Sequence, residues 1–227
     1  TRDHAEALIN GTPPTEAEIY TDPLDLAAPL LLCDRSLRAC GDGVIADGRL
    51  QDILRRISCF GLTLVRLDIR QEAARHTEAI DAVTRYIGLG SYAAWSPAEK
   101  VGFLVRELSG RRPLIPRVFW EGSELVSADV HDVLATFAEI AKQGPGSLGA
   151  YVISMAATSA DVLAVALPQR GARRRYGSTA DPVRIVPLFE TLADLDSAGA
   201  AMHQLLSNPW YRRWLSEVHD NHQEVMI

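Results

Sequence analysis

The spacing of hydrophobic positions changes along the chain, and the change predicts which segments are helices. Between Leu50 and Phe60, apolar residues recur every three or four positions with charged residues between them, which is typical of an amphipathic helix. Pro23 and Gly41 bound an earlier apolar segment and suit the first turn and the end of a helix. The first sixty residues are therefore predicted to be helical.

Four later runs have the apolar character of buried strands. The first, Leu62–Ile69, is interrupted only at Arg66 and Asp68, which is typical of a strand in a covered sheet. The other runs are Tyr151–Ala156, Val183–Phe189 and Val225–Ile227. A helical pattern follows each of the first three runs, and this alternation predicts a parallel sheet with helical crossovers. The fold class is therefore predicted to be α/β and helix-rich.

Capping residues mark where these helices start. Ser96 and Glu99 have the spacing of a capping box around Pro97. The helices are predicted over Ala73–Ile87, Pro97–Ser109 and Ala128–Gln143, and after Thr158 and Thr191. By contrast, Pro168–Pro182 contains Gly, Ser, Pro and an arginine run, so it is predicted to be a flexible, solvated loop.

Composition and charge disfavour several classes of function. The chain has 227 residues, with 23 Lys and Arg against 29 Asp and Glu, a formal charge of −6. This charge disfavours nucleic acid and anionic lipid as partners. The sequence has no apolar run of about 18 residues and no signal peptide. A cytoplasmic location is therefore expected, and association with a membrane is not expected. Cys33, Cys40 and Cys59 form no CxxC pair and are predicted to be buried thiols.

The strongest candidates for chemistry lie at the carboxyl ends of the predicted strands, where active sites collect in parallel α/β proteins. Arg70 offers a fork of donors that suits a phosphate or a carboxylate. Glu190 alternates with Leu188, so both side chains point to one face, and its carboxylate suits Mg²⁺ or Mn²⁺. The alternatives are an ion pair of Arg70 with Glu72, Asp68 or another neighbouring acid, and an ion pair or a first-turn helix position for Glu190.

Other candidate residues are interpreted as structural. His76 is expected to be a hydrogen-bonded helix residue rather than a general base. His219 and His222 have no third ligand nearby in the sequence, so they are expected to be exposed loop residues rather than metal ligands. The aromatic segment Trp210–Trp214 is expected to anchor a helix to the core rather than to stack on bases.

Three strings in order accompany the predicted strand ends: Leu67–Glu72 (LDIRQE), Tyr151–Ala156 (YVISMA) and Pro187–Leu192 (PLFETL). Arg75-His76-Thr77 follows the first string, Asp161–Val165 the second and Asp194-Leu195 the third. Over most of residues 60–227 the sequence thereby resembles the phosphoenolpyruvate carboxylase family.

The resemblance implies a fold, a reaction and roles for four residues. It implies a TIM-type (β/α) barrel wrapped in many helices, and a lyase that forms oxaloacetate and phosphate from phosphoenolpyruvate and bicarbonate with Mg²⁺ or Mn²⁺. Arg70 matches the arginine that holds the substrate phosphate, and Glu190 matches a metal-binding glutamate. Leu188 and Met226 match residues around the methylene end of the substrate. A homotetramer is expected for the full-length protein.

The sequence departs from the family pattern in what it lacks. The catalytic histidine motif (TAHPTE) and the motif with the second metal carboxylate (GYSDS) are absent. The chain is therefore expected to be an internal fragment, inactive alone and completed by the rest of the same polypeptide. Residues 61–227 are predicted to form a partial barrel with about four strands, truncated at the C-terminus. Residues 1–60 are predicted to be a helical segment that packs on this barrel. The alternatives are another barrel enzyme that uses phosphoenolpyruvate or pyruvate, such as a phosphotransferase, and a non-catalytic binding module.

Overall fold

The computed structural model describes residue 20 and residues 22–122, 124–143 and 146–227. The chain divides into two compact units, one ending at Val65 and the other spanning Arg66–Ile227. None of the helices in these described ranges combines the length and the apolar content that crossing a bilayer requires.

The described part of the first unit is helical, which confirms the prediction from Pro23 onward. Its elements are α1 (Pro23–Ala39), α2 (Gly43–Ile45), a π-helical turn (Ala46–Leu50) and α3 (Gln51–Phe60). The Asp22 carboxylate accepts a hydrogen bond from the Leu24 amide at 2.8 Å and so caps α1. Gly61 ends α3 at a φ of 60°, which glycine adopts without strain.

The prediction of buried thiols is wrong for all three cysteines. Cys33, Cys40 and Cys59 are exposed. Helix α1 has no buried residue, and neither does α3; among the described residues these two helices pack on each other and on the short π-helical turn between them. The apolar face of Leu50–Phe60 that suggested burial is only partly covered: Leu50, Leu54 and Ile57 are half-buried, whereas Ile53 and Phe60 are exposed.

The second unit contains a parallel sheet of three strands, which confirms the helix-rich α/β class. The strands are β1 (Leu67–Glu72), β2 (Leu148–Ser154) and β3 (Arg184–Pro187), in the order β1-β2-β3. The predicted first strand is displaced, because Leu64 and Val65 are exposed and pairing with β2 starts only at Leu67. The predicted fourth strand is reduced to one bridge between Leu188 and Met226.

Helices connect these strands and bury one side of the sheet in the main core. They are α4 (Ala73–Tyr86), α5 (Pro97–Ser109), α6 (Arg117–Glu121), α7 (Ala128–Lys142), α8 (Ser159–Tyr176), α9 (Leu192–Ser207) and α10 (Pro209–Val218). The Ser96 hydroxyl and the Glu99 carboxylate form the expected capping box of α5. The predicted helices before β2 are therefore confirmed to within one residue at each end.

The loop predicted over Pro168–Pro182 is wrong in its first half. Helix α8 continues through Pro168, which is buried within it, and ends at Gly177 with a φ of 65°. Proline removes one helical hydrogen bond, but the buried apolar residues around it hold the helix in the core. The arginine run lies in the last turns of α8, where positive charge interacts favourably with the helix dipole.

Glycine is required at position 149 because β1 and β2 approach each other closely there. The Asp68 carboxylate accepts a hydrogen bond from the Ala150 amide at 2.8 Å, beside an irregularity in the β1 register. A Cβ atom at Gly149 would overlap with Asp68 Oδ1. The side chain of Asp68 therefore occupies the space that any larger residue would need.

We expect the substitution Gly149→Ala to lower the free energy of unfolding by about 1–3 kcal/mol, because Asp68 must move and lose its hydrogen bond. Gly199→Ala is the matched control, since a Cβ at this position in α9 meets no atom within 4 Å. The control should be stabilising by about 0.5–1 kcal/mol, as expected for a glycine within a helix. Urea denaturation measures both, and equal effects would contradict the prediction.

Candidate functional site

The two faces of the sheet have different surroundings. Tyr151, Ile153 and Ile185 point to the helices and belong to the main core. Successive side chains alternate between the faces of a strand, so the residues between them point the other way. On that second face Ala150, Val152, Val186 and Leu188 form a small apolar cluster, and Met226 packs against it.

Arg70 lies on the second face of the sheet. It pairs with Val152 of β2, and Val152 in turn pairs with Val186 of β3. Residues paired in this way point to the same side of a sheet. Arg70 is exposed, and no ion pair between described residues includes it. Within the described part of the chain its guanidinium therefore has no charged partner.

Backbone hydrogen bonds hold Leu188 and Met226 side by side. The Met226 amide donates to the Pro187 carbonyl at 3.0 Å, and the Phe189 amide donates to the Met226 carbonyl at 3.1 Å. The Leu188 amide donates to the Ile153 carbonyl at 2.9 Å, which extends the ladder beyond β3. The two apolar residues proposed for one pocket are thus neighbours on the face that carries Arg70.

Glu190 follows Leu188 by two residues, at the end of the segment that precedes α9. The residue between them, Phe189, is buried in the main core on the opposite side. Glu190 is exposed, and its carboxylate does not cap the helix. Asp194 does so instead, because its carboxylate accepts from the Thr191 amide at 3.0 Å, and the Thr191 hydroxyl lowers the pKa of Asp194. The alternative first-turn role of Glu190 is therefore filled by another residue.

Two further polar residues on this face are positioned by the strand register. Glu72 pairs with Ser154, and Glu72 follows Arg70 by two residues, so both point to the Arg70 side. No ion pair of Arg70 with Glu72 or Asp68 occurs among the described residues. The sequence carried no signal for this grouping beyond alternation, because only the register shows which residues of two strands are paired.

One residue at the same end of the sheet has an unusual backbone conformation. Met155 directly follows β2 and has a φ of 54°, a region that residues other than glycine seldom adopt. Its side chain is 44% exposed. Such conformations persist where the surrounding structure enforces them, and they cluster at functional sites.

The described residues do not by themselves make a metal site. Glu190 has the hard carboxylate oxygens that Mg²⁺ and Mn²⁺ prefer. However, no group of three His, Cys, Asp or Glu side chains that could hold a metal ion occurs among the described residues. Glu190 therefore has no second and third ligand of this kind beside it among the described residues.

A match to a family model shows to which protein family the chain belongs. The model described as phosphoenolpyruvate carboxylase matches residues 1–227, the whole chain. The chain belongs to the phosphoenolpyruvate carboxylase family. The resemblance carried by the three strand-end strings is thereby confirmed.

Curated relatives agree with this assignment. Phosphoenolpyruvate carboxylase 2 of Chlamydomonas reinhardtii is 51% identical over 219 residues, which is 92% of this chain and 18% of the relative. Phosphoenolpyruvate carboxylase 4 of Arabidopsis thaliana is 48% identical and phosphoenolpyruvate carboxylase of Alcanivorax borkumensis is 51% identical. Both matches cover 100% of this chain, and 22% and 24% of the relatives. The chain thus spans about a fifth to a quarter of the carboxylases it matches.

His76 has the structural role expected of it in this carboxylase-family chain. It is 1% exposed, and its Nε2 atom lies 2.8 Å from the Tyr151 hydroxyl. Burial lowers the pKa of His76 to about 4. The side chain is on the helix-covered side of the sheet, away from Arg70, so it is not a base for chemistry on the Arg70 face.

The structure also tests the interpretations of the aromatic segment and of the two C-terminal histidines. The aromatic segment does anchor α10, because Tyr211 and Leu215 are buried and Trp210 and Trp214 pack against the core. His222 is exposed as expected. His219 is only partly exposed, because its ring packs edge-on against Trp214 with centroids 4.7 Å apart.

Proposed function

We propose that the protein containing this chain carboxylates phosphoenolpyruvate with bicarbonate, giving oxaloacetate and phosphate. The observation that carries the proposal is the placement of Arg70, Leu188 and Met226 on one open face of the sheet. Family membership supports the same reaction, since the matched relatives are named phosphoenolpyruvate carboxylases. The chain spans about a quarter or less of those relatives, so the activity is assigned to the complete protein.

In the proposed reaction, a bicarbonate oxygen attacks the phosphorus atom of phosphoenolpyruvate. The bond from phosphorus to the enol oxygen breaks, which leaves carboxyphosphate and the enolate of pyruvate. Carboxyphosphate then breaks down to CO₂ and phosphate, and the methylene carbon of the enolate attacks CO₂ to form oxaloacetate. Negative charge moves from the phosphate region to the enolate oxygen along this path, so groups that stabilise negative charge accelerate it.

The residues of this chain have separate roles in that sequence. Arg70 binds the phosphate with its planar fork of donors and neutralises charge there. Leu188 and Met226 pack against the apolar methylene end of the substrate and exclude water from the carbon that must meet CO₂. Strands β1 and β3 are two strand spacings apart, roughly 10 Å, which a three-carbon phosphate ester can bridge with the help of long side chains.

Glu190 is proposed as one carboxylate ligand of the divalent cation. A bound Mg²⁺ or Mn²⁺ ion supplies positive charge that stabilises the anionic intermediates. Glu190 is suited to this because it is exposed and its carboxylate is not used to cap α9, a role that Asp194 fills. The other ligands and the catalytic histidine belong to the rest of the polypeptide, which is why the isolated chain is proposed to be inactive.

The architecture of the complete protein is part of the same proposal. We assign residues 61–227 to part of a (β/α) barrel, with the cluster of Ala150, Val152, Val186 and Leu188 as part of its inner wall. Residues 1–60 are proposed as a separate helical segment of that protein. A homotetramer in the cytoplasm is proposed for the full-length carboxylase.

A direct test of the function uses the complete protein and the 227-residue chain in parallel. Oxaloacetate formation is coupled to NADH oxidation by malate dehydrogenase, with phosphoenolpyruvate, bicarbonate and Mg²⁺ as reactants. We expect turnover by the complete protein and none above background by the chain alone. Pyruvate or phosphoryl transfer in place of oxaloacetate would indicate a different barrel enzyme, and no turnover by the complete protein would indicate a binding module.

We expect Glu190→Gln to raise the Mg²⁺ concentration for half-maximal activity of the complete protein at least about tenfold, because a neutral amide is a weaker ligand for a hard cation. Electron paramagnetic resonance of Mn²⁺ measures the same loss of metal affinity in the absence of turnover. Asp196→Asn, at an exposed carboxylate in α9, is the control and should leave both values unchanged. Equal Mn²⁺ affinities in Glu190→Gln and the unsubstituted protein would refute the assignment.

A further inference from the structure

A cavity of about 550 Å³ lies at the opposite end of the second unit from the Arg70 face. Pro182, which lines it, comes just before β3, whereas Glu190 comes after β3. Gly177, at the end of α8, also lines it. The cavity is therefore separate from the proposed substrate site, and its volume is within the range of small-molecule sites.

Positive charge dominates the lining of this cavity. The charged side chains that line it are Arg170, Arg173, Arg174, Arg213 and Glu217. Four guanidinium groups against one carboxylate leave a formal charge of +3 in a chain whose net charge is −6. This local excess favours an anion with more than one negative charge.

Two of the arginines are fixed by backbone carbonyls at the end of α5. Arg170 donates to the Glu107 carbonyl at 2.9 Å and also to the Gly110 carbonyl. Arg174 donates to the Arg111 carbonyl at 3.0 Å. Neutral carbonyls hold these side chains in place without neutralising them, so both keep their full charge at the cavity wall.

The other two arginines have unused binding capacity. Arg173 donates from one terminal nitrogen to the Ala180 carbonyl, and its Nε atom is buried with less than 1 Å² accessible, so its terminal N–H groups are the donors that a ligand can reach. Arg213 is exposed and forms no ion pair among the described residues, although Glu217 is one helical turn away. Burial lowers the pKa of Arg173, as it does that of Arg170, where repulsion by Arg174 adds to it.

Aromatic side chains form another part of the lining. Trp210 and Trp214 both line the cavity, and their rings are stacked with centroids 6.0 Å apart and planes 11° apart. Indole faces bind planar rings, and base stacking on an aromatic residue contributes about 1–3 kcal/mol. The cavity thus combines fixed positive charge with a flat apolar surface.

We propose that this cavity binds an organic phosphate that carries a planar ring, such as a nucleoside monophosphate. The phosphate binds to the terminal guanidinium N–H groups of Arg173 and Arg213, and the ring lies against Trp210 and Trp214. Inorganic phosphate alone would leave most of the volume and the indole surface unused. The site does not depend on the proposed carboxylase reaction, because it uses none of the residues on the Arg70 face.

The test measures adenosine 5′-monophosphate binding to the complete protein by isothermal titration calorimetry and by quenching of tryptophan fluorescence. Adenosine and inorganic phosphate are run separately, to isolate the ring and the anion. We expect the monophosphate to bind at least tenfold more tightly than either. Binding should weaken with added salt and persist in an Arg70→Ala background, which separates this site from the proposed substrate site.

Two neighbouring arginines of α10 provide a matched pair of variants. Arg213→Glu should weaken binding of the monophosphate at least tenfold. Arg212→Glu makes the same charge change at an exposed residue outside the cavity lining and should leave the affinity within twofold. Circular dichroism checks that both variants fold, and Arg173→Lys provides a second, charge-conserving test in which binding should also weaken. No binding at millimolar concentration, equal losses in the two glutamate variants, or equal affinity for adenosine would overturn the proposal.

Discussion

Replacing Arg70 with alanine should reduce kcat/KM for phosphoenolpyruvate in the complete protein by about 10³-fold. The magnitude follows from the loss of a charge-assisted, two-point contact to a phosphate on which charge develops during the reaction. Because no ion pair between described residues includes Arg70, the substitution breaks none of the ion pairs in the described ranges. The loss should therefore come from substrate and transition-state binding, with the unfolding free energy little changed.

Two further variants show whether the position of Arg70 matters or only its charge. Arg70→Lys keeps the charge but loses the planar fork, so an intermediate loss of about 10- to 100-fold is expected. Arg184→Ala removes an arginine from the same face at the opposite end of the sheet, where it pairs with Glu224. A solvent-exposed pair of this kind contributes little, and activity should stay within a few-fold. Comparable losses in Arg70→Ala and Arg184→Ala would contradict the proposed phosphate site.

The strands were predictable where burial and composition agree. Tyr151, Val152 and Ile153 are apolar and 0% exposed, so their run in the sequence was a reliable signal of β2. Strand β1 was displaced in the prediction because it contains Arg70, Gln71 and Glu72. It is a strand because its backbone pairs with β2, and this pairing cannot be inferred from the pattern of apolar and polar side chains.

The candidate site was predictable in part for a similar reason. Alternation along one strand places Leu188 and Glu190 on the same side, and that step needs no tertiary information. Whether Arg70 shares this side depends on the register between β1, β2 and β3. The grouping of Glu72 and Ser154 with Arg70 depends on the same register, so sequence reasoning missed it.

The arginine run shows a different limit of sequence reasoning. Its charge density and the nearby proline and glycine suggested a solvated loop. In the structure the end of α8 packs against neighbouring segments, and Arg170 and Arg174 reach carbonyls more than sixty residues earlier in the chain. Long-range partners of this kind offset the low helix propensity of Pro168, and local patterns carry no information about them.

Acidification should destabilise the chain through His76. Burial lowers the pKa of His76 to about 4 in the folded state, from 6.5 in the unfolded chain. The folded protein therefore binds fewer protons than the unfolded chain between these values, and stability is lost as the pH falls from about 6.5 towards 4. At pH 4.5 the loss due to this residue should be roughly 2 to 3 kcal/mol relative to pH 7.5.

The surroundings of His76 explain why protonation is so unfavourable. Its Nδ1 atom is buried without a hydrogen-bond partner, and its ring packs against Phe137 and Tyr151. A protonated ring would place a charged Nδ1–H donor among apolar side chains, where it has nothing to bind. Burial also raises the pKa of Tyr151, so its hydroxyl stays neutral and offers no compensating charge.

Urea denaturation of the chain at pH 7.5 and 4.5 measures this effect, because other titrating groups contribute equally to the unsubstituted chain and its variants. His76→Gln should be less stable at pH 7.5 but should lose roughly 2 to 3 kcal/mol less on acidification. His203→Gln, at an exposed histidine in α9, should retain the full pH dependence. If His76→Gln and His203→Gln respond identically to pH, His76 is not the group that couples folding of this core to protonation.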